Sequence, residues 1–89
     1  MKIHWNIRFF GAVQGVFFRQ TVKEIAEKLG VVGFVRNEPD GSVYAEAEGE
    51  EEILKVFLES CKKSKIANVS EVTITKSDLK NFPDFRIEY

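Results

Sequence analysis

The chain has 89 residues, 44% apolar and 30% charged, and a chain of this size can bury roughly 60 to 65% of its unfolded surface around one modest core. Thirteen Lys and Arg against fourteen Asp and Glu leave a net charge of -1, which excludes the strongly basic footprint of a nonspecific nucleic-acid binder. The one cysteine, Cys61, excludes an internal disulfide and any multi-cysteine zinc site, and a single domain over residues 1–89 is expected.

Residues 2 to 10 alternate, with Ile3, Trp5, Ile7 and Phe9 on one side and His4, Asn6 and Arg8 on the other. That is the period of a half-buried strand, and it places His4 on an exposed face, with no carboxylate or second histidine near it in sequence. This N-terminus also lacks the continuous apolar run of a signal peptide or membrane helix. A cytoplasmic location with no membrane partner is the default expectation.

From about Phe18 to Leu29, the apolar residues Phe18, Val22, Ile25, Ala26 and Leu29 recur at helical spacing, and Gly30 suits the left-handed position that closes a helix. Val31 to Asn37 is rich in strand formers. Glu38-Pro39-Asp40-Gly41 carries turn chemistry, and Ser42 to Glu48 alternates around Val43, Ala45 and Ala47, so the stretch reads as a hairpin. A second helix follows, with Glu50, Glu51 and Glu52 at its start and Lys62, Lys63 and Lys65 at its end, each complementing the helix dipole. Cys61 lies on its apolar stripe with Ile53, Leu54, Phe57 and Leu58 and is expected in the core rather than as a nucleophile. Val69 to Thr75 gives a fourth strand, and Phe85, Ile87 and Tyr89 give a short fifth. The order strand, helix, strand, strand, helix, strand is that of an α+β ferredoxin-like βαββαβ sandwich: an antiparallel sheet with both helices on one face and a short extra C-terminal strand.

The chemistry concentrates between the first strand and first helix, in Gly11-Ala12-Val13-Gln14-Gly15-Val16-Phe17-Phe18-Arg19. Glycine lets the backbone turn tightly and approach a ligand. The helix start adds unpaired N–H groups and a partial positive charge, so an anion there gains hydrogen bonds and a favourable field together. Arg19 is informative by position, because a cation in a first helical turn opposes the dipole by up to about 1 kcal/mol unless a bound anion reverses the field. Its planar fork can grip two phosphate oxygens. No Gly-Lys-Ser/Thr follows, and the glycine spacing is wrong for a dinucleotide fingerprint. Taken alone, the loop could equally serve only to reverse the chain, and Asn37 could be ordinary turn chemistry before Pro39-Asp40-Gly41.

Together the Val13-Gln14-Gly15-Val16-x-Phe18-Arg19 run, the helix closing at Leu29-Gly30-Val31, the stretch Gly33-x-Val35-Arg36-Asn37 and Asp40-Gly41-Ser42-Val43 resemble the acylphosphatase family from about Phe9 to Gly49. The resemblance implies a hydrolase, independent of metal and cofactor, that splits the carboxyl-phosphate bond of a small-molecule acyl phosphate into a carboxylate and inorganic phosphate. It implies that Arg19 and the backbone amides of Gly15, Val16, Phe17, Phe18 and Arg19 bind the phosphoryl group, and that Asn37 positions the attacking water. Inorganic phosphate is then both product and inhibitor, and a monomer is expected. Two departures, Ala12 at a position often basic or polar in the family and Lys63-Ser64-Lys65-Ile66 where a glycine-proline pair is common, bear on surface field and stability rather than on the reaction.

Two other functional classes share features with this sequence. Gly33-Phe34-Val35 echoes part of an RNA-recognition octapeptide, but the stacking aromatics are replaced by Val32 and Asn37 and the strand is the second rather than the third, so no nucleic-acid partner is expected. A catalytically silent phosphate-binding or interaction module of the same fold would differ from an enzyme in failing to turn over an acyl phosphate.

Overall fold

The computed structural model describes residues 1–89. Its elements are β1 (Lys2–Ala12), α1 (Phe18–Leu29), β2 (Val32–Asn37), β3 (Val43–Glu50), α2 (Glu51–Lys62), β4 (Asn68–Ser77) and β5 (Phe85–Glu88). The sheet order is β4-β1-β3-β2-β5. β1 lies between β3 and β4 and is antiparallel to both, and β2 is antiparallel to β3. β5 joins the far edge parallel to β2, so the five-stranded sheet is mixed.

Alternation in the strands decides what each face of the sheet holds. Trp5, Ile7 and Phe9 of β1 stand directly opposite Ala47, Ala45 and Val43 of β3, and all six are buried in the core. The large β1 side chains facing small β3 ones leave room for the helices to fill, as close packing requires. Phe18, Val22 and Ala26 of α1 and Leu54, Phe57 and Cys61 of α2 fill it. Burial pushes the Cys61 thiol up to about 12, so it stays neutral and packs as a small hydrophobe.

Two boundaries differ from the sequence expectation in a way that matters. β1 runs on to Ala12, with a shift in its register to β4 between Phe10 and Gly11, so Gly11 belongs to the strand and not to the ligand-facing loop. β3 continues to Glu50 and passes straight into α2, whose first turn carries Glu51 and Glu52 and whose last carries Lys62, the charge order expected from the dipole.

His4 is not exposed. It points to the sheet face away from the helices, as the alternation requires, yet only 1% of it is accessible. Nδ1 bonds to Glu48 Oε2 at 2.6 Å, and Nε2 lies 2.8 Å from Asn6 Oδ1 and 3.1 Å from Glu46 Oε1. Those carboxylates are far away in sequence and arrive by cross-strand pairing, His4 with Glu48 and Asn6 with Glu46. The segment between β4 and β5 then covers them, as the Lys80, Asn81 and Phe82 amides all donate to Glu48.

Candidate active site

The connection from β1 to α1 bends through two left-handed residues, Gly15 at φ 75° and Phe17 at φ 59°. Gly15 adopts that conformation without a steric cost, whereas Phe17 does not. Left-handed residues alternating with ordinary ones turn successive N–H groups toward a common concavity, the arrangement that cradles anions. None of the amides from Gly15 to Arg19 donates in any of the nine backbone hydrogen bonds outside helices and strands. Phe17 caps α1 with no side-chain hydrogen bond, and the first turn carries no acidic residue. The helix thus presents its free amides and its positive end to whatever occupies the loop.

Arg19 stands one residue into α1, half-buried. Of the four arginines in the chain, Arg8 and Arg36 pair with Glu38 and Arg86 with Asp84. Arg19 has no carboxylate partner. Its guanidinium instead stacks on the Tyr89 ring, 4.9 Å from the centroid, and Nη1 donates to the Glu88 carbonyl at 3.5 Å. Such a contact leaves the charge of the fork unneutralised.

Asn37 ends β2, in register with Val43 of β3. Its Oδ1 is buried and has no hydrogen-bond partner within the protein. A buried acceptor left unpaired costs about 1 to 3 kcal/mol, so this position strongly favours a donor supplied from outside the chain. Asn37, Arg19, Gly15 and Phe17 line one cleft of about 510 Å³, bordered on the β5 side by Ile87 and Tyr89.

The side chains of the proposed cradle divide. Phe17 and Gly15 face the cleft. Phe18 also borders it, but its ring is 1% exposed and meets Phe9 edge to face at 5.2 Å, anchoring the helix start in the core. Val16 packs against the same core and is not part of the cleft wall.

Gln14 was not singled out in the sequence, and the geometry gives it a task. Nε2 donates to the carbonyls of Glu38 and Ser42, both at 2.8 Å, tying the cradle to the β2–β3 turn just beyond Asn37. That turn is itself held by Asp40, which accepts from the Ser42 hydroxyl and amide and is thereby kept below the usual carboxylate range. The one signal in the sequence was a long polar side chain inside an apolar loop. Tyr89 reads in the sequence as the end of the fifth strand, but β5 stops at Glu88 and Tyr89 lies just beyond it, against Arg19.

The acylphosphatase family profile matches residues 5–87. An acylphosphatase of Ligilactobacillus salivarius is 41% identical over 88 residues, covering 97% of this chain and 98% of that protein. Among solved structures, the acylphosphatase from Bacillus subtilis superimposes with a TM-score of 0.93 at 37% identity, over 98% of this chain and 99% of that one. An acylphosphatase from Coxiella burnetii gives 0.91 at 32% identity, over 98% and 93%.

Proposed function

The chain belongs to the acylphosphatase family, hydrolases that act on acyl phosphates, and from that premise we propose that it cleaves the carboxyl-phosphate bond in this cleft without a metal ion. The phosphoryl group sits in the loop, hydrogen-bonded by the amides of Gly15 to Arg19 and gripped by the Arg19 guanidinium. Asn37 Oδ1 accepts a hydrogen bond from water and holds its oxygen toward phosphorus. Attack forms the new P–O bond as the bond to the acyl oxygen breaks. The carboxylate leaves with the bonding pair, and the water's proton passes to a phosphate oxygen.

No general acid is needed, because the leaving carboxylate has a conjugate acid with pKa near that of Asp or Glu, about 4. An amide also suits the water site better than a carboxylate, which would set a negative charge beside the phosphate. Positioning and charge stabilisation then supply most of the rate, as is general for phosphoryl transfer. The observation that carries this reading is the unpartnered buried acceptor of Asn37 in the same cleft as the one arginine lacking a carboxylate.

The test is turnover of benzoyl phosphate in the presence of a metal chelator, with Arg19→Ala and Asn37→Ala compared with the unsubstituted protein. Each substitution is expected to lower turnover by on the order of 10² to 10³, the loss typical of removing one transition-state donor. Arg19→Ala should also weaken competitive inhibition by inorganic phosphate, while Asn37→Ala should leave it nearly unchanged. Loss of all activity with chelator overturns the metal-independent mechanism, and near-normal activity of either variant overturns that residue's role. A phosphate-binding module without catalysis would retain phosphate binding and hydrolyse nothing.

A further inference from the structure

Phe17 is the one residue of the cleft that the fold does not explain. Its ring is 79% exposed, so it adds little to the core. Its backbone is left-handed at φ 59° and ψ 22°, a conformation uncommon for a bulky residue. Gly or Asn would hold the same turn with less strain. A large apolar ring kept in a strained conformation at the mouth of a cleft points to an interaction made there.

The size of the cleft says with what. A phosphoryl group fills roughly the space of two or three waters at ~30 Å³ each, whereas the cleft holds about 510 Å³. Most of that space is left for the acyl end of the substrate. Beside Gly15, Asn37 and Gln20 its walls are aliphatic or aromatic, Phe17, Ile87 and Tyr89 among them, and Arg19 is the one charged side chain lining it. The Arg19 guanidinium is committed to the phosphoryl end and the Gln20 amide bonds to Glu24 at 3.3 Å, so the acyl end meets mainly aromatic and aliphatic surface.

We infer that Phe17 is a specificity-determining residue that stacks against the acyl group, and that the preferred substrates are acyl phosphates with an apolar, planar acyl group. This rests on the acyl phosphate hydrolysis proposed above and adds to it the class of acyl group. Tyr89 forms the facing wall, but its ring also stacks on Arg19, so its loss acts on every substrate. Phe17 is therefore the position at which discrimination is read.

The experiment compares kcat/KM for benzoyl phosphate and acetyl phosphate in the unsubstituted protein, Phe17→Gly and Phe17→Trp. Glycine accepts the left-handed backbone, so the variant folds, and any loss common to both substrates cancels in the ratio. The difference in leaving-group basicity is the same in every variant and cancels when their ratios are compared. The benzoyl-to-acetyl ratio should fall about five- to tenfold in Phe17→Gly, the scale of one aromatic stacking contact, and hold or rise in Phe17→Trp. A ratio unchanged in Phe17→Gly, with both substrates still turned over, overturns this inference and leaves the hydrolase reading intact. Failure of the unsubstituted protein to hydrolyse either substrate overturns both.

Discussion

The most heavily constrained polar residue outside the cleft is Glu48. Burial on its own would raise its carboxyl, but the His4 ring and the amides of Lys80, Phe82 and Asn81 together outweigh that and hold it below its ordinary value near 4.5. Glu46 beside it behaves alike: burial works against its charge, and Lys80 Nζ at 2.7 Å and the Tyr44 hydroxyl at 2.8 Å favour it. A carboxyl depressed in the folded state binds its proton less readily there than in the unfolded chain. Its stabilisation is therefore complete above pH 4.5 and is lost as the pH falls through the lower folded value. Glu48→Gln turns an amide N–H toward a set of donors and leaves His4 without its shortest partner. The expected loss is about 3 kcal/mol in urea unfolding at neutral pH, the low end for breaking a buried pair. The variant should also show a shallower decline below pH 4.5, with the remaining slope from Glu46 and Asp40. A loss under about 0.5 kcal/mol at neutral pH would mean that the 78–84 segment is held down by other contacts, such as the Phe34 and Phe82 rings at 5.8 Å. His4 shows why this cluster was illegible in the sequence: periodicity correctly assigned its face of β1, but what covers that face is set by strand register and by a segment more than seventy residues away.

The elements themselves were largely legible, because the apolar spacing that marks Phe18, Val22 and Ala26 as a helix face is the same spacing that buries them. The parallel pairing of β5 with β2 was not, since four residues carry no signal of direction. Arg19 and Asn37, which residue type and position single out in the sequence, come to line one cleft. The Gln14 tie was not legible, because it depends on where the β2–β3 turn lies in space, and no residue type marks Phe17 as left-handed. Gly33 belongs with these. It stood out in sequence only as part of the β2 motif, yet a Cβ there, at φ 148°, would lie 1.8 Å from the Glu46 carbonyl oxygen of β3. The paired strands approach more closely at this point than any side chain allows. Gly33→Ala must push β2 from β3 and with it shift Asn37, four residues along the same strand. We expect a stability loss of about 3 kcal/mol, the upper part of the overpacking range. Because Asn37 moves and Arg19 does not, kcat should fall more than the affinity for inorganic phosphate. A variant unfolding at the same urea concentration as the unsubstituted protein would show that the β2–β3 contact relaxes without cost.

At the level of the whole molecule, the cleft joins three parts of the chain that are remote in sequence: the β1–α1 loop, the end of β2 and the C-terminal β5. Anything bound there bridges the first helix and the far edge of the sheet, and it binds the folded chain only. Inorganic phosphate should therefore stabilise the protein by RT ln(1 + [phosphate]/Kd), about 2.7 kcal/mol at a hundredfold excess over Kd. For a domain of this size each kcal/mol moves the melting temperature by roughly 4 to 8 °C, so the shift is readily measured by calorimetry at constant ionic strength, with sulfate-free buffer and chloride as the control. The increase should disappear in Arg19→Ala, which removes the guanidinium grip, and persist in Asn37→Ala, which removes only the acceptor for water. The two substitutions that damage turnover alike are thus separated by a measurement that involves no turnover. An equal phosphate shift in both variants would place the anion elsewhere on the molecule. Loss of the shift in both would make Asn37 a phosphate ligand rather than the holder of water, and the two roles assigned within the cleft would have to be exchanged or merged.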